Sequence, residues 1–74
     1  MAQVGKSCAY LTLEGEGLLT RNAAIITYVH TNGSTCDLDV FPRGDPQGNV
    51  PSIMVVREVA YCENGDEPGM WTEA

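Results

Sequence analysis

The sequence predicts an all-β protein. The expected form is a small antiparallel barrel or curled sheet of about four or five strands, SH3-like or OB-like, with little or no helix. Three observations carry this. Between Ala23 and Phe41 two apolar-rich runs flank Asn32-Gly33, a pair that signals a tight hairpin. Other short runs of strand-forming residues are separated by clusters of Gly, Pro, Asn and Asp. No segment sustains a helical period, although Gly17–Ile26 would accommodate one turn.

The elements follow in order. Ser7–Leu13 reads as a first strand, and Glu14–Gly17 as a loosened turn with two glycines. Leu18–Asn22 leads into the hairpin. With Asn32-Gly33 at the centre of a type I′ turn, Val29 faces Cys36, Thr27 faces Leu38 and Ile25 faces Val40 on one apolar face. The other face pairs His30 with Thr35, Tyr28 with Asp37, Ile26 with Asp39 and Ala24 with Phe41. Val29, Cys36, Leu38 and Val40 are the expected core positions. Pro42–Ser52 holds three prolines and two glycines and reads as a loop. Ile53–Cys62 is the longest apolar run, and its β-branched content argues for a strand. Its alternation breaks at Arg57-Glu58, which points to a bulge or to cover on both faces. Glu63–Gly69 is a further turn cluster, and Met70–Thr72 reads as a short last strand.

Residues 1–74 make one domain, with no internal repeat, low-complexity tract or linker. So short a chain buries little core and calls for a further stabiliser. Cys8, Cys36 and Cys62 are odd in number, widely spaced and without a C-x-x-C pair. That pattern argues against a secreted disulfide scaffold. No signal-like segment opens the sequence and no apolar run has transmembrane length, so a reducing cytoplasm, no membrane and free buried thiols are expected. Assembly into a homo-oligomer is then the expected stabiliser.

The formal net charge is −6, from ten acidic and four basic side chains. This argues against direct nucleic-acid binding, which depends on Lys and Arg neutralising phosphates. Glu63, Asp66, Glu67 and Glu73 read as a solvated segment and not as a phosphate-like row.

His30 is the only histidine, and Tyr28 and Asp37 share its face. An acid–base group is conceivable there, but no nucleophile accompanies it, and Cys36 points the other way. No enzyme is expected. Cys8, Cys36, Cys62 and His30 lack the paired spacing of a zinc site, so no metal or cofactor is expected. Arg43-Gly44-Asp45 has the form of an adhesion tripeptide without a matching context. Arg21, Arg43 and Arg57 are three of the four cations. Arg57 lies inside an apolar run, where it must pair with an acid or face an anion. Trp71 follows a turn, either as a lid over the core or as a stacking platform. The candidate ligand-binding set is Arg21, Tyr28, His30, Arg57 and Trp71.

Arg21, Ala23–Thr27, Gly33, Leu38–Phe41 and Pro68–Trp71 together resemble a group of small, largely uncharacterised β-rich proteins of tailed bacteriophages. The shared pattern is Arg-x-Ala-Ala-Ile, a Gly turn, Leu-x-Val-Phe and Pro-Gly-x-Trp, over roughly the last two-thirds of the chain. The resemblance implies a viral origin and a host bacterial cytoplasm, and it brings no activity. The expectation is a non-enzymatic accessory protein acting by binding. It would sequester a host signalling nucleotide, with Arg on phosphate and Tyr28 or Trp71 on the base, or block a host defence protein. The alternative is a virion component, a capsid decoration or tail-associated protein.

Overall fold

The computed structural model describes residues 2–14, 17–41 and 52–74. It is all-β: β1 (Ser7–Glu14), β2 (Leu18–Val29), β3 (Cys36–Phe41), β4 (Met54–Val59) and β5 (Trp71–Glu73). They form one antiparallel sheet in the order β4-β3-β2-β1-β5. From β1 to β4 this is a simple meander, which suits the SH3-like alternative better than the Greek-key order of an OB-fold. No helix of the described residues is long and apolar enough to cross a membrane.

Gly17–Ile26, which would accommodate one helical turn, is strand from Leu18 onward, because Leu18–Ile25 pairs rung by rung with Glu14–Ser7. Gly5 N–H donates to the Ile26 carbonyl (2.7 Å) and Ile26 N–H to the Lys6 carbonyl (3.0 Å), which carries the pairing beyond β1. Of the expected loop Pro42–Ser52, residues 42–51, with Arg43-Gly44-Asp45, lie outside the described residues.

The sheet curls around one apolar face. Cys8, Ala24, Ile26, Cys36, Leu38, Val40, Val59 and Trp71 cluster there, all nearly or fully buried. Beyond β4 the chain crosses to the opposite edge. Trp71 N–H donates to the Ala60 carbonyl and Cys62 N–H to the Trp71 carbonyl, making a single parallel bridge between Tyr61 and Trp71. One bridge is not a full ladder, so the sheet is curled rather than closed. On the opposite face of β1 and β5, Ala9, Leu11 and Thr72 are also buried. The turn from Cys62 to Gly69 lies over them. It is held by Gly69 N–H donating to the Leu11 carbonyl (2.7 Å), and Gly65 lies against Thr72 and Arg21.

The expected hairpin is present, with Cys36, Leu38 and Val40 buried and Val29 half-buried. Val29↔Cys36 and Tyr28↔Asp37 pair as read from the sequence. Beyond them the register differs by one residue, because Thr27 is bulged out between Ile26↔Leu38 and Tyr28↔Asp37. Ala24 and Ile26 therefore face the core, and Ile25 and Thr27 are exposed. The tip is also wider than a two-residue turn. His30 N–H donates to the Thr35 carbonyl and Gly33 N–H to the His30 carbonyl. Asn32 Oδ1 accepts from Ser34 N–H (3.0 Å) and Thr35 N–H (2.8 Å), doing with its side chain what the ladder does elsewhere. Gly33 alone at the tip has positive φ, at 81°, whereas a type I′ turn needs it at both central residues.

Candidate functional site

The outer face of β2, β3 and β4 centres on Asp37. Strand alternation puts Cys36, Leu38 and Val40 into the core and turns Asp37, Asp39 and Phe41 outward. Both neighbouring strands carry a bulge opposite Asp37. In β2 the extra residue is Thr27, whose hydroxyl donates to the Asp37 carbonyl (3.2 Å). In β4 the irregularity lies between Val56 and Val59, so of the two readings of the broken alternation the bulge is the one present. Cover on both faces is not found among the described residues, since β4 ends the sheet order with Met54 and Val55 exposed. At the bulge Glu58 has φ 53°, a left-handed conformation that few non-glycine residues adopt.

The Asp37 carboxylate holds this arrangement. One oxygen, Oδ1, accepts from Glu58 N–H at 2.9 Å and lies 2.8 Å from His30 Nε2. The His30 hydrogen bond is the larger cause, with the Glu58 N–H next, of a carboxyl held below its ordinary value of 3.8. The charge of Arg57 adds to this. Tyr28 packs edge-on against His30, with ring centroids 4.8 Å apart at 85°. Tyr28, His30, Asp37, Arg57 and Glu58 thus form one polar and aromatic patch.

The candidate residues from the sequence divide between places. Tyr28 and His30 meet, and Arg57 sits on the exposed bulge beside them. Arg21 lies seven residues before Tyr28 on β2, roughly 23 Å away at about 3.3 Å per residue. Its guanidinium rests against Gly65, where an added Cβ would come within 2.9 Å of Nη2. Trp71 is 1% exposed and faces the core. Its Nε1–H donates to the Ser34 carbonyl (2.8 Å), and its ring packs against Tyr61 at 4.7 Å. This fits the lid reading. A shallow cavity of about 180 Å³ lies beside it, lined by Ala2, Gly33, Ser34, Tyr61, Trp71 and Glu73.

Glu58 was missed as part of this patch. Its signal was present in the broken alternation of the β4 segment. Among the described residues no cluster of His, Cys, Asp and Glu has the form of a metal site. Cys8, Cys36 and Cys62 are buried free thiols. Burial, with the Cys36 sulfur nearby, pushes the Cys8 thiol up to about 11. Burial likewise raises Cys36. Both are small core hydrophobes at neutral pH, without nucleophilic character.

Around the patch the outer face is apolar at Ile25, Phe41 and Val55, which are 37%, 41% and 62% exposed. Asp39 sits between Ile25 and Val55 on one rung. A second exposed apolar group, Leu13, Leu18 and Leu19, lies at the far end of β1 and β2. In comparisons with known proteins, no family model matches the chain, and no match is found among curated proteins or solved structures.

Proposed function

We propose that this chain is a non-enzymatic binding protein whose working surface is the outer face of β2 and β3. In the phage setting that the resemblance implies, it is an accessory protein of the host cytoplasm that blocks a host protein directly. One observation carries the reading. Ile25, Tyr28 and Phe41 stand exposed around Asp39 and the Asp37 group, on a rigid strand scaffold and not on a loop. Exposed large apolar side chains collected on one face suit a protein interface, and an aromatic with a polar tip is a common anchor there. The separation of Arg21 and Trp71 from Tyr28 weighs against one nucleotide held by all five residues within a single copy.

The test is affinity capture from infected cells with wild type, Ile25→Lys and Phe41→Lys. A protein held by wild type and lost from both variants is the expected result. Capture that survives both substitutions contradicts it. Calorimetry with cyclic and linear nucleotides should give no heat. Binding that weakens about ten- to a hundredfold in Arg57→Ala would restore the nucleotide reading. A second reading, a virion component, is favoured by Leu13, Leu18 and Leu19, which add another apolar surface as a particle neighbour would require. Mass spectrometry of purified particles decides between the two. An accessory protein is absent there, and a decoration protein is abundant.

A further inference from the structure

We propose that β4 pairs edge to edge with the β4 of a second copy, extending the two curled sheets into one. The proposal is independent of the partner suggested above. In the sheet order β4 is terminal, with β3 on one side and no neighbour on the other among the described residues. Such an edge presents unpaired N–H and C=O groups, which proteins usually protect with charges, prolines or bulges. Here the two halves of the edge differ. The Arg57-Glu58 half carries charge and a bulge that twists the backbone away. The Ile53–Val56 half carries no such device. Ile53, Met54 and Val55 are 55%, 43% and 62% exposed. Met54 is the informative residue. It lies opposite fully buried Val40 on the core side, yet stays open for want of a neighbour beyond β4.

Antiparallel self-pairing requires residues of one face to meet, so Val55 lies opposite Val55 of the second copy and Met54 opposite its Val56. Apolar then meets apolar on both faces of the new ladder. Arg57 falls at its end, opposite Ile53 of the second copy. It is on the same face as that copy's oppositely charged Asp39, which lies one strand further in and two residues along. The symmetry makes that attraction occur twice. It gives two acidic molecules a local reason to associate, and the bulge stops the ladder after a few rungs. A second copy is favoured over an unrelated strand because the edge complements itself in shape, polarity and charge.

The test is sedimentation equilibrium with reductant present, from micromolar to millimolar protein, on wild type, Val55→Lys, Ile53→Lys and Leu13→Lys. Val55, Ile53 and Leu13 are all exposed, and near-ultraviolet dichroism of buried Trp71 reports the fold of each variant. Wild type should reach twice the 8.0 kDa chain mass. Val55→Lys or Ile53→Lys, folded, should weaken association at least tenfold, and Leu13→Lys should not. A wild type that stays at 8.0 kDa throughout overturns the proposal. So does a dimer that both β4 variants leave intact, or one that Leu13→Lys disrupts equally.

Discussion

Trp71 and Asp37 hold opposite faces of the same sheet, and they do so by different physics. On the inner face Trp71 joins the chain after β4, the β2–β3 loop and the core, through its backbone bridge, its indole N–H and its ring. On the outer face Asp37 joins β2, the loop and β4 through one carboxylate and one carbonyl. The first junction is dry and apolar. The second is partly solvated and charged. The core should therefore be indifferent to acid strong enough to protonate Asp37, and the shape of the outer face should not be.

The largest expected effect is at Trp71. Trp71→Ala removes the biggest buried side chain and should cost about 3–5 kcal/mol in denaturant unfolding, enough to threaten so small a fold. Asp37→Asn should cost less, and its cost should depend on pH. The Asp37 pKa lies below its ordinary 3.8 in the folded protein. Its contribution is therefore fully present above about pH 4 and is lost as pH falls through the depressed value. Cys8 gives the opposite sign. Its thiol is raised from 9.0 to about 11, so stability should fall as pH rises across that interval, and Cys8→Ala should remove that alkaline loss. The smallest effect is at Glu58. Glu58→Gly relieves the positive φ and should lie between neutral and about 1 kcal/mol stabilising. Glu58→Val should destabilise, because a β-branched residue resists that conformation, and thermal melts of the pair would show the difference.

The same contrast governs what could be read from residues alone. On β3 the alternation of Cys36, Leu38 and Val40 with Asp37, Asp39 and Phe41 leaves one solution, and the structure has it. On β2, Ala24, Ile25 and Ile26 are all apolar, so the pattern permits either face. Extending the register from the turn gave the wrong one, because the Thr27 bulge leaves no hydrophobic signature. The β4 bulge was legible since it interrupts an apolar run with Arg57-Glu58. Asn32-Gly33 marked the tip, but the Asn32 side chain widened it by replacing ladder bonds. The Tyr28, His30 and Asp37 group followed from the pairing near the tip, which lies before the slip. The seven-residue spacing separates Arg21 from Tyr28 once Leu18–Val29 is one continuous strand. The curl of the sheet turns Trp71 inward, which no spacing shows.

The most direct measurement compares Trp71→Phe and Asp37→Asn with wild type by denaturant unfolding near pH 7 and at about pH 2.5. Both variants should be less stable than wild type near neutrality. In acid the Asp37→Asn deficit should shrink, because the wild-type carboxylate loses its advantage as pH falls through its depressed value, and the Trp71→Phe deficit should remain. An Asp37→Asn deficit that is undiminished in acid, or absent at neutral pH, would contradict the assignment of the outer face to the Asp37 charge.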